Sequence, residues 1–268
     1  MSPRDKKTQP VVLSIAGYDP SSGAGVTADI KTIAAHRCYA VTCITALTVQ
    51  STQGVKRVET VDSRIIMETL EELITDFPIA AVHIGMLGAA ETVRTIAAFI
   101  RRNQPSHVVL DPVIKSSSGA DLLSREGVQI LKEKFLPLAD VITPNIDEAA
   151  ALTGLPVRNQ EEMKAAARQL HRMGARNVII TGGHLDPPTD LLSPGAGHDI
   201  KIFSGQKITG NSTHGTGCAF ATALACNLAH GEPLADAAKA AKQYVANAMK
   251  NALSIGKGRG PINHLYGY

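Results

Sequence analysis

The sequence predicts a layered α/β fold in which a mostly parallel central sheet lies between helices. Short, continuous apolar runs alternate with longer segments of helical periodicity, and the segments between runs are long enough for crossover helices. With 268 residues, 44% of them hydrophobic, and nearly balanced charge, the chain can bury one large core. We therefore expect a single domain over residues 11–268, preceded by a flexible polar tail at residues 1–10.

The apolar runs define six predicted strands, which have the continuous pattern of strands covered on both faces. They lie at 11–16, 40–49, 81–85, 108–111, 141–143 and 178–181. Apolar residues three or four apart predict helices at 26–35, 63–76, 90–102, 124–135, 160–173 and 234–250, and another from the turn at 215–218 to residue 230. A Pro-, Gly- and Asp-rich segment at 185–197 precedes a predicted hairpin of 200–203 with 207–209, which indicates a small mobile flap.

Composition excludes several classes of protein. The formal net charge of +3 is spread along the chain without a basic run, so we expect no nucleic-acid partner. No apolar run is long enough to span a bilayer, and we expect no membrane association. Cys38, Cys43, Cys218 and Cys226 form no CxxC pair, which argues against a disulfide framework and a structural zinc site. Reduced thiols and a cytoplasmic location follow as expectations.

The stretch Thr213-His214-Gly215-Thr216-Gly217-Cys218 carries the most information about function. Two glycines precede a thiol at a predicted helix start, where unpaired N–H groups and the helix dipole attract anions and lower a thiol pKa. The pattern suits phosphate chemistry. The alternative is that the glycines only shape a tight turn and that Cys218 is a small core residue.

The glycine-rich segment after the first strand, residues 17–25, is a second candidate loop for an anion. Residues 23–28 match G-x-G-x-x-A, but they lie too far beyond the strand for a dinucleotide fingerprint, and Gln50 follows the second strand where an acidic residue is expected. No Walker A loop occurs in the sequence. Any nucleotide is therefore held in another way.

Ligands of open α/β sheets bind beyond the carboxyl ends of the strands, and several polar residues occupy such positions. The amide of Gln50 can pair with a heterocycle that shows a ring nitrogen and an amino group, although loop hydrogen bonding is its ordinary role. Met86 can flank a flat ring or simply pack. Asn145 and Glu148 form either a helix capping box or, with Asp111, a site that orients water around magnesium.

Together these residues resemble the ribokinase-like superfamily and, within it, the hydroxymethylpyrimidine/phosphomethylpyrimidine kinases of thiamine biosynthesis. The resemblance runs from about residue 11 to the end and rests on ordered blocks at 16–25, 28–32, 44–50, 84–87, 110–113, 143–145, 182–185, 213–218 and 258–264. It implies a ribokinase-like three-layer sandwich, ATP and Mg²⁺ as cofactors, and a homodimer. The family phosphorylates a hydroxymethylpyrimidine and then its monophosphate.

The resemblance also implies roles for individual residues. Cys218 would stand at the position of the catalytic base, beside the anion-binding residues Gly215, Thr216 and Gly217. The pyrimidine would contact Gln50, Gly17, Thr48, Met86 and Val113. Magnesium and the nucleotide phosphates would be organised by Asp111, Asn145, Glu148, Thr181 and Gly183, with Asp111 and Glu148 reaching the metal through water.

Two positions depart from the family pattern. Thr181 stands where relatives usually carry a lysine that reaches the nucleotide phosphates, and Ala219 stands where a hydroxyl residue is common. Pyridoxal kinase activity is the nearest alternative, because pyridoxal also carries a hydroxymethyl group on a flat nitrogen heterocycle. A thiol hydrolase using Cys218 with a histidine and a non-catalytic ligand-binding module are the alternatives from other classes.

Overall fold

The computed structural model describes residues 9–116, 118–195, 198–208, 210 and 213–268. Its central feature is one nine-stranded sheet with the order β3-β2-β1-β4-β5-β6-β7-β8-β9. The strands are β1 (Val11–Tyr18), β2 (Tyr39–Ser51), β3 (Gly54–Thr60), β4 (Ile79–Ile84), β5 (Val108–Leu110), β6 (Val141–Ile142), β7 (Val178–Ile180), β8 (Thr189–Ser193) and β9 (Lys201–Ser204). The six strands β2, β1, β4, β5, β6 and β7 are mutually parallel. At the two ends of the sheet, β3 pairs antiparallel with β2, β8 with β7, and β9 with β8.

Helices cover both faces of the sheet. They are α1 (Gly25–Ala35), α2 (Ser63–Asp76), α3 (Ala90–Asn103), α4 (Arg125–Ile130, continued by the π-helical turn Leu131–Phe135), α5 (Ile146–Thr153), α6 (Gln160–Arg172), α7 (Thr216–Ala229) and α8 (Leu234–Lys250). Alternate residues of β1 point to opposite faces of the sheet. Leu13 and Ile15 pack in the core formed with α2 to α6, and Val12 packs in the core formed with α1, α7 and α8. The predicted three-layer α/β architecture is confirmed.

Helix α7 lies at the centre of its layer. Nine of its residues are buried, because it packs on the sheet and against α1 and α8. Its start therefore reaches the carboxyl edge of the parallel strands, where β1, β4 and β5 end. In the described part of the chain, no helix combines the length and the apolar character that a bilayer span requires.

The flap prediction is wrong for residues 189–193. Residues 189–193, which belong to the segment predicted as a mobile flap, form the fully buried strand β8, and its short apolar core is flanked by turn-forming residues. Strand β9 pairs with β8 rather than with residues 207–209. Residues 207 and 208 are irregular, and residue 209 lies outside the described residues.

The sequence prediction also omits β3. Four of its seven residues are exposed and three are charged, as suits an antiparallel edge strand, and it lacks the continuous apolar run of the interior strands. Residues 1–8 of the predicted tail lie outside the described residues. The carbonyl of Pro10 accepts a hydrogen bond of 2.9 Å from the N–H of Tyr39, so ordered structure begins before β1.

Candidate active site

Two helix starts meet at the carboxyl edge of the sheet. Gly215, with φ +83°, precedes α7, and a Cβ atom at this position would lie only 1.8 Å from the carbonyl oxygen of Gly23, just before α1. The neighbouring turns therefore touch through backbone, which only glycine permits. Neither helix start has a side-chain cap. The N–H groups of both helix starts can therefore face an anion.

Asp19 holds these two turns together. Its Oδ1 accepts hydrogen bonds from the N–H and hydroxyl of Ser21, and its Oδ2 accepts from the N–H groups of Gly23 and Ala24. The Nε2 atom of His214 lies 2.9 Å from the same Oδ2. Burial alone would raise the pKa of Asp19, but hydrogen bonds from His214 and Ser21 outweigh it and lower the pKa. Asp19 is thus held as a carboxylate.

Gln50 lies beside this junction. Its amide nitrogen is 3.1 Å from Nε2 of His214, and its amide oxygen accepts a 3.2 Å hydrogen bond from the hydroxyl of Thr48. A cavity of about 190 Å³ opens here, with Gln50, His214 and Arg259 in its lining. The structure therefore brings the predicted heterocycle-binding amide next to the glycine-rich start of α7.

Three predicted substrate residues form the nearby apolar wall. A Cβ atom at Gly17 would lie 2.8 Å from Sδ of Met86, so the two are in direct contact. Met86 belongs to a small hydrophobic cluster with Ala46 and Leu122, against which Val113 packs. A small apolar cluster thus lies at the same edge of the sheet as Gln50.

Cys218 lies against Asp111 in the first turn of α7. Burial raises the pKa of the Cys218 thiol well above its usual range, and the Asp111 carboxylate, which is hydrogen-bonded to the thiol, raises it further. The expectation that the helix start lowers this thiol pKa is therefore wrong for the substrate-free protein. Desolvation and an adjacent negative charge outweigh the helix dipole.

Asp111 and Glu148 are two neighbouring acidic residues at the site. Burial raises the pKa of Asp111 to about 6, while the positive charge of His83 works in the opposite direction. Burial and the neighbouring Asp111 raise the pKa of Glu148 well above its usual range. Two buried carboxylates that repel each other are a suitable oxygen donor set for a divalent cation.

The capping box at α5 is present. Oδ1 of Asn145 accepts from the N–H groups of Asp147 and Glu148, and Oε2 of Glu148 accepts from the N–H of Asn145, each at 2.9 Å. The structural interpretation of these residues is therefore confirmed, and their proposed role toward magnesium remains a prediction. Thr181 pairs with Asn145 in a parallel bridge, which places it on the same rim.

The glycines after β7 form a turn on this rim. The N–H of Gly182 donates a 3.0 Å hydrogen bond to Asp190, whose carboxylate also accepts from Lys242 at 2.7 Å. Gly183 is exposed, and a Cβ atom there would meet nothing within 4 Å. The residues predicted to bind the substrate and those predicted to bind the nucleotide thus lie at the same edge of the sheet, with residues 215–218 and Asp111 between the two groups.

Sequence reasoning missed a buried polar cluster beneath the start of α7. Asp29 of α1 and His83 of β4 form an ion pair of 3.1 Å, and both side chains are fully buried. The available signal was the polar His83 inside an otherwise apolar strand run. The role of Asp19 in joining the two turns was also missed, although Asp19 lies within the candidate anion loop at residues 17–25.

Comparisons with known proteins agree with this geometry. The family profile described as phosphomethylpyrimidine kinase matches residues 19–263. A thiamine biosynthesis bifunctional protein from Geobacter sulfurreducens is 43% identical over 95% of the chain, which spans only 52% of that relative. A hydroxymethylpyrimidine/phosphomethylpyrimidine kinase from Haemophilus influenzae is 42% identical, with 94% of the chain and 96% of the relative covered.

A solved structure extends the comparison to the fold. An ADP complex of Bacillus subtilis pyridoxal kinase superposes with a TM-score of 0.87 at 32% identity, covering 96% of this chain and 97% of that one. This structural similarity and the mostly parallel sheet agree with the ribokinase-like fold that the sequence motifs predict.

Proposed function

Because the chain belongs to the phosphomethylpyrimidine kinase family, we propose that it phosphorylates 4-amino-5-hydroxymethyl-2-methylpyrimidine and then its monophosphate, using ATP, in thiamine biosynthesis. The observation that carries the proposal is the placement of Gln50 and of the uncapped start of α7 on either side of His214. The amide of Gln50 suits an aminopyrimidine, and the N–H groups at the start of α7 suit a phosphoryl group.

Binding of the pyrimidine depends on Gln50 and the apolar wall. The amide of Gln50 offers a donor and an acceptor to the ring nitrogen and amino group, and its oxygen accepts a hydrogen bond from Thr48. Gly17, Met86 and Val113 provide the surface for the ring. The hydroxymethyl group then points toward residues 215–218.

Transfer of the phosphoryl group requires alignment and charge neutralisation more than covalent chemistry. We assign the N–H groups of residues 215–218 to the transferring group, because they lie at a helix start without a side-chain cap. The Cys218 thiol orients the acceptor hydroxyl group. Since its pKa is raised, we favour this orienting role over that of a preformed thiolate base.

Asp111 and Glu148 fit a magnesium ion that is held mainly through water and substrate phosphates. Both are buried carboxylates with raised pKa values, which a nearby cation would stabilise in the charged form. In the described ranges, no group of three or more His, Cys, Asp or Glu residues forms a complete metal cage. Bound magnesium supplies positive charge toward the nucleotide phosphates, and Asn145, Thr181 and Gly183 line the same side.

Pyridoxal kinase remains the second candidate, supported by the close structural likeness to the Bacillus subtilis enzyme. The curated relatives with the higher identities favour the pyrimidine. A thiol hydrolase fits poorly, because the Asp111 carboxylate beside Cys218 raises the pKa of the thiol and so disfavours the thiolate. A non-catalytic binding module would bind ligand without ATP turnover.

The test is an assay of purified protein with magnesium, ATP and either the hydroxymethylpyrimidine or pyridoxal, with mono- and diphosphate products resolved. We expect faster turnover of the pyrimidine and formation of its diphosphate. Preference for pyridoxal would replace the pyrimidine assignment by the second candidate. Ligand binding without turnover of either alcohol would contradict the kinase proposal.

We also propose a cytoplasmic homodimer built from one kinase domain per chain, residues 11–268. Leu47 and Val49 on β2 are 51% and 49% exposed, and such apolar surface is suited to contact with a second copy. Light scattering of the purified protein tests the dimer, and a monomer at micromolar concentration would contradict it.

A further inference from the structure

Four polar side chains form a fully buried cluster under the candidate site, which we call the buried tetrad: Ser14, Asp29, His83 and Thr222. Each is 0% exposed, and they come from β1, α1, β4 and α7 respectively. Asp29 is the centre of the tetrad. Its Oδ2 accepts from the hydroxyl of Ser14 at 2.6 Å and lies 3.1 Å from Nδ1 of His83, while its Oδ1 accepts from the hydroxyl of Thr222 at 2.7 Å.

The four elements that meet in the tetrad are the same ones that build the site. The strand β1 leads to Gly17 and Asp19, and β4 leads to Met86. Helix α1 begins after Gly23, and helix α7 begins with the turn that contains Cys218. The tetrad therefore links, in the protein interior, the four elements that carry the residues of the candidate site.

Thr222 connects the tetrad to the start of α7. It follows Cys218 by four residues on α7, so the two side chains lie on the same face of the helix, one turn apart. The start of α7 has no side-chain cap, and hence no local hydrogen bond from a capping side chain fixes it. The 2.7 Å hydrogen bond from Thr222 to Asp29 ties α7, one turn after Cys218, to α1.

A buried ion pair is a poor device for stability alone, because the cost of desolvating both charges can exceed their attraction. Such pairs are better explained where they select one geometry among several. The charge of His83 also acts on the site. Burial alone would lower the pKa of His83, but Asp29 and then Asp111 raise it, so the imidazolium form is favoured near the Asp111 carboxylate.

We propose that the Asp29/His83 pair is a positioning unit for phosphoryl transfer, which acts through Thr222 to hold the first turn of α7 against Asp111. Neither residue touches substrate. The inference rests on the proposed function, since it assigns the transferring group to the N–H groups of that turn.

The kinetic test uses the full-length enzyme with the substitutions Asp29→Asn, His83→Gln and Thr222→Val. We expect kcat to fall roughly tenfold to a hundredfold, while KM for ATP and for the pyrimidine changes less than about threefold, because misplacement affects the transition state more than binding. The double variant Asp29→Asn/His83→Gln should be no slower than the slower single variant, as expected for one unit. His83→Lys should recover much of kcat, because an ammonium group can also pair with Asp29.

His171→Gln is the matched control. His171 of α6 is a part-buried histidine that contacts the carbonyl of Ala175 at 2.8 Å and the hydroxyl of Ser193 at 3.0 Å. Because α6 lies on the opposite face of the sheet, we expect kcat of this variant to equal that of the wild type. Thr222→Val keeps the side-chain volume while it removes the hydroxyl group. It tests the proposal even if the Asp29→Asn variant does not fold.

Amide hydrogen exchange provides a readout that needs no substrate. In the folded variants of the tetrad, residues 216–220 should exchange faster than in the wild type, whereas exchange in α6 should not change. Unchanged kcat in every folded variant, a rise in KM alone, or uniformly faster exchange would overturn the proposal. A wild type without kinase activity would instead overturn the proposed function, and the exchange data would still report on the tetrad.

Discussion

The Nε2 atom of His214 lies 2.9 Å from Oδ2 of Asp19, and this contact joins two segments separated by 195 residues in the chain. It links the turn before α1 to the turn before α7, and the same imidazole nitrogen lies 3.1 Å from the amide of Gln50. The proposed pyrimidine site and the proposed anion-binding turn therefore share one histidine.

Replacing Gln50 by Ala should weaken pyrimidine binding. Loss of one or two hydrogen bonds to the ring corresponds to roughly a tenfold or larger rise in Kd. Calorimetry with the hydroxymethylpyrimidine measures the change. Gln129→Ala is the control, because Gln129 is an exposed amide on α4 whose partner is Glu133. Unchanged affinity of the Gln50→Ala variant would remove its assignment.

Cys218→Ala should lower the rate of the first phosphorylation by roughly a hundredfold, the scale expected when the acceptor group is no longer held in position. The second phosphorylation should suffer less, because its acceptor is a phosphate oxygen and not the hydroxyl group that the thiol orients. Cys218→Ser retains a hydroxyl that can donate to Asp111 and should lose less activity than the Ala variant.

Product-resolved kinetics measures both steps for the Cys218 variants, and Cys43→Ala is the control. Burial raises the pKa of the Cys43 thiol to about 12, and this thiol packs in the core on the α2 side of the sheet, away from α7. A rate for Cys218→Ala equal to that of the wild type would exclude any role of the thiol in the reaction.

Gly215→Ala should destabilise the protein and inactivate it. The residue has φ +83°, and the added Cβ would meet the carbonyl of Gly23 at 1.8 Å, so the two turns must separate. Gly154→Ala provides a matched control, since Gly154 has φ +73° but open space around the added Cβ. The control should cost about 1 kcal/mol from backbone strain alone, and Gly215→Ala clearly more. Equal Tm values for the two variants would show that the contact with Gly23 is unimportant.

Acid should destabilise the protein through His264. Burial, and then the positive charge of Lys31, lowers the pKa of this histidine from 6.5 to about 4. Between these values the unfolded chain binds more protons than the folded one, so the free energy of unfolding falls as pH falls from about 6.5 to about 4. At about 1.4 kcal/mol per pKa unit, the loss is at most about 3 kcal/mol.

Urea denaturation across this pH range measures the loss. In His264→Asn the dependence on pH should be shallower than in the wild type, whereas His198→Asn, at an exposed position, should retain the wild-type slope. Identical slopes for His264→Asn and the wild type would exclude His264 as the source.

Thr181→Lys should improve the use of ATP. Thr181 precedes the Gly182 turn on the proposed nucleotide side, and an ammonium group there would attract the phosphates. We expect KM for ATP to fall by roughly threefold or more at low salt and less at high salt. Thr181→Met adds comparable length without charge and separates the two effects. Equal KM values for the Lys and Met variants would contradict an electrostatic origin.

Local sequence patterns were sufficient for most of the architecture. The apolar runs that became β1, β2, β4, β5, β6 and β7 have the composition of strands buried on both faces, and that pattern does not depend on distant residues. The glycine blocks and Gln50 were recognisable for a similar reason, because turn geometry and functional groups are local properties. The exposed edge strand β3 and the short strand β8 were missed, since each is defined by its neighbour rather than by its own periodicity.

The electrostatics of the site depend instead on tertiary packing. A helix start alone predicts a lowered pKa for Cys218, yet the folded chain holds the half-buried residue beside Asp111 and raises the pKa of its thiol. Likewise, nothing local links Asp29 to His83 or Thr222, which are 54 and 193 residues away. Desolvation and Coulomb interactions act through space, so their sign is known only when the chain has placed the partners.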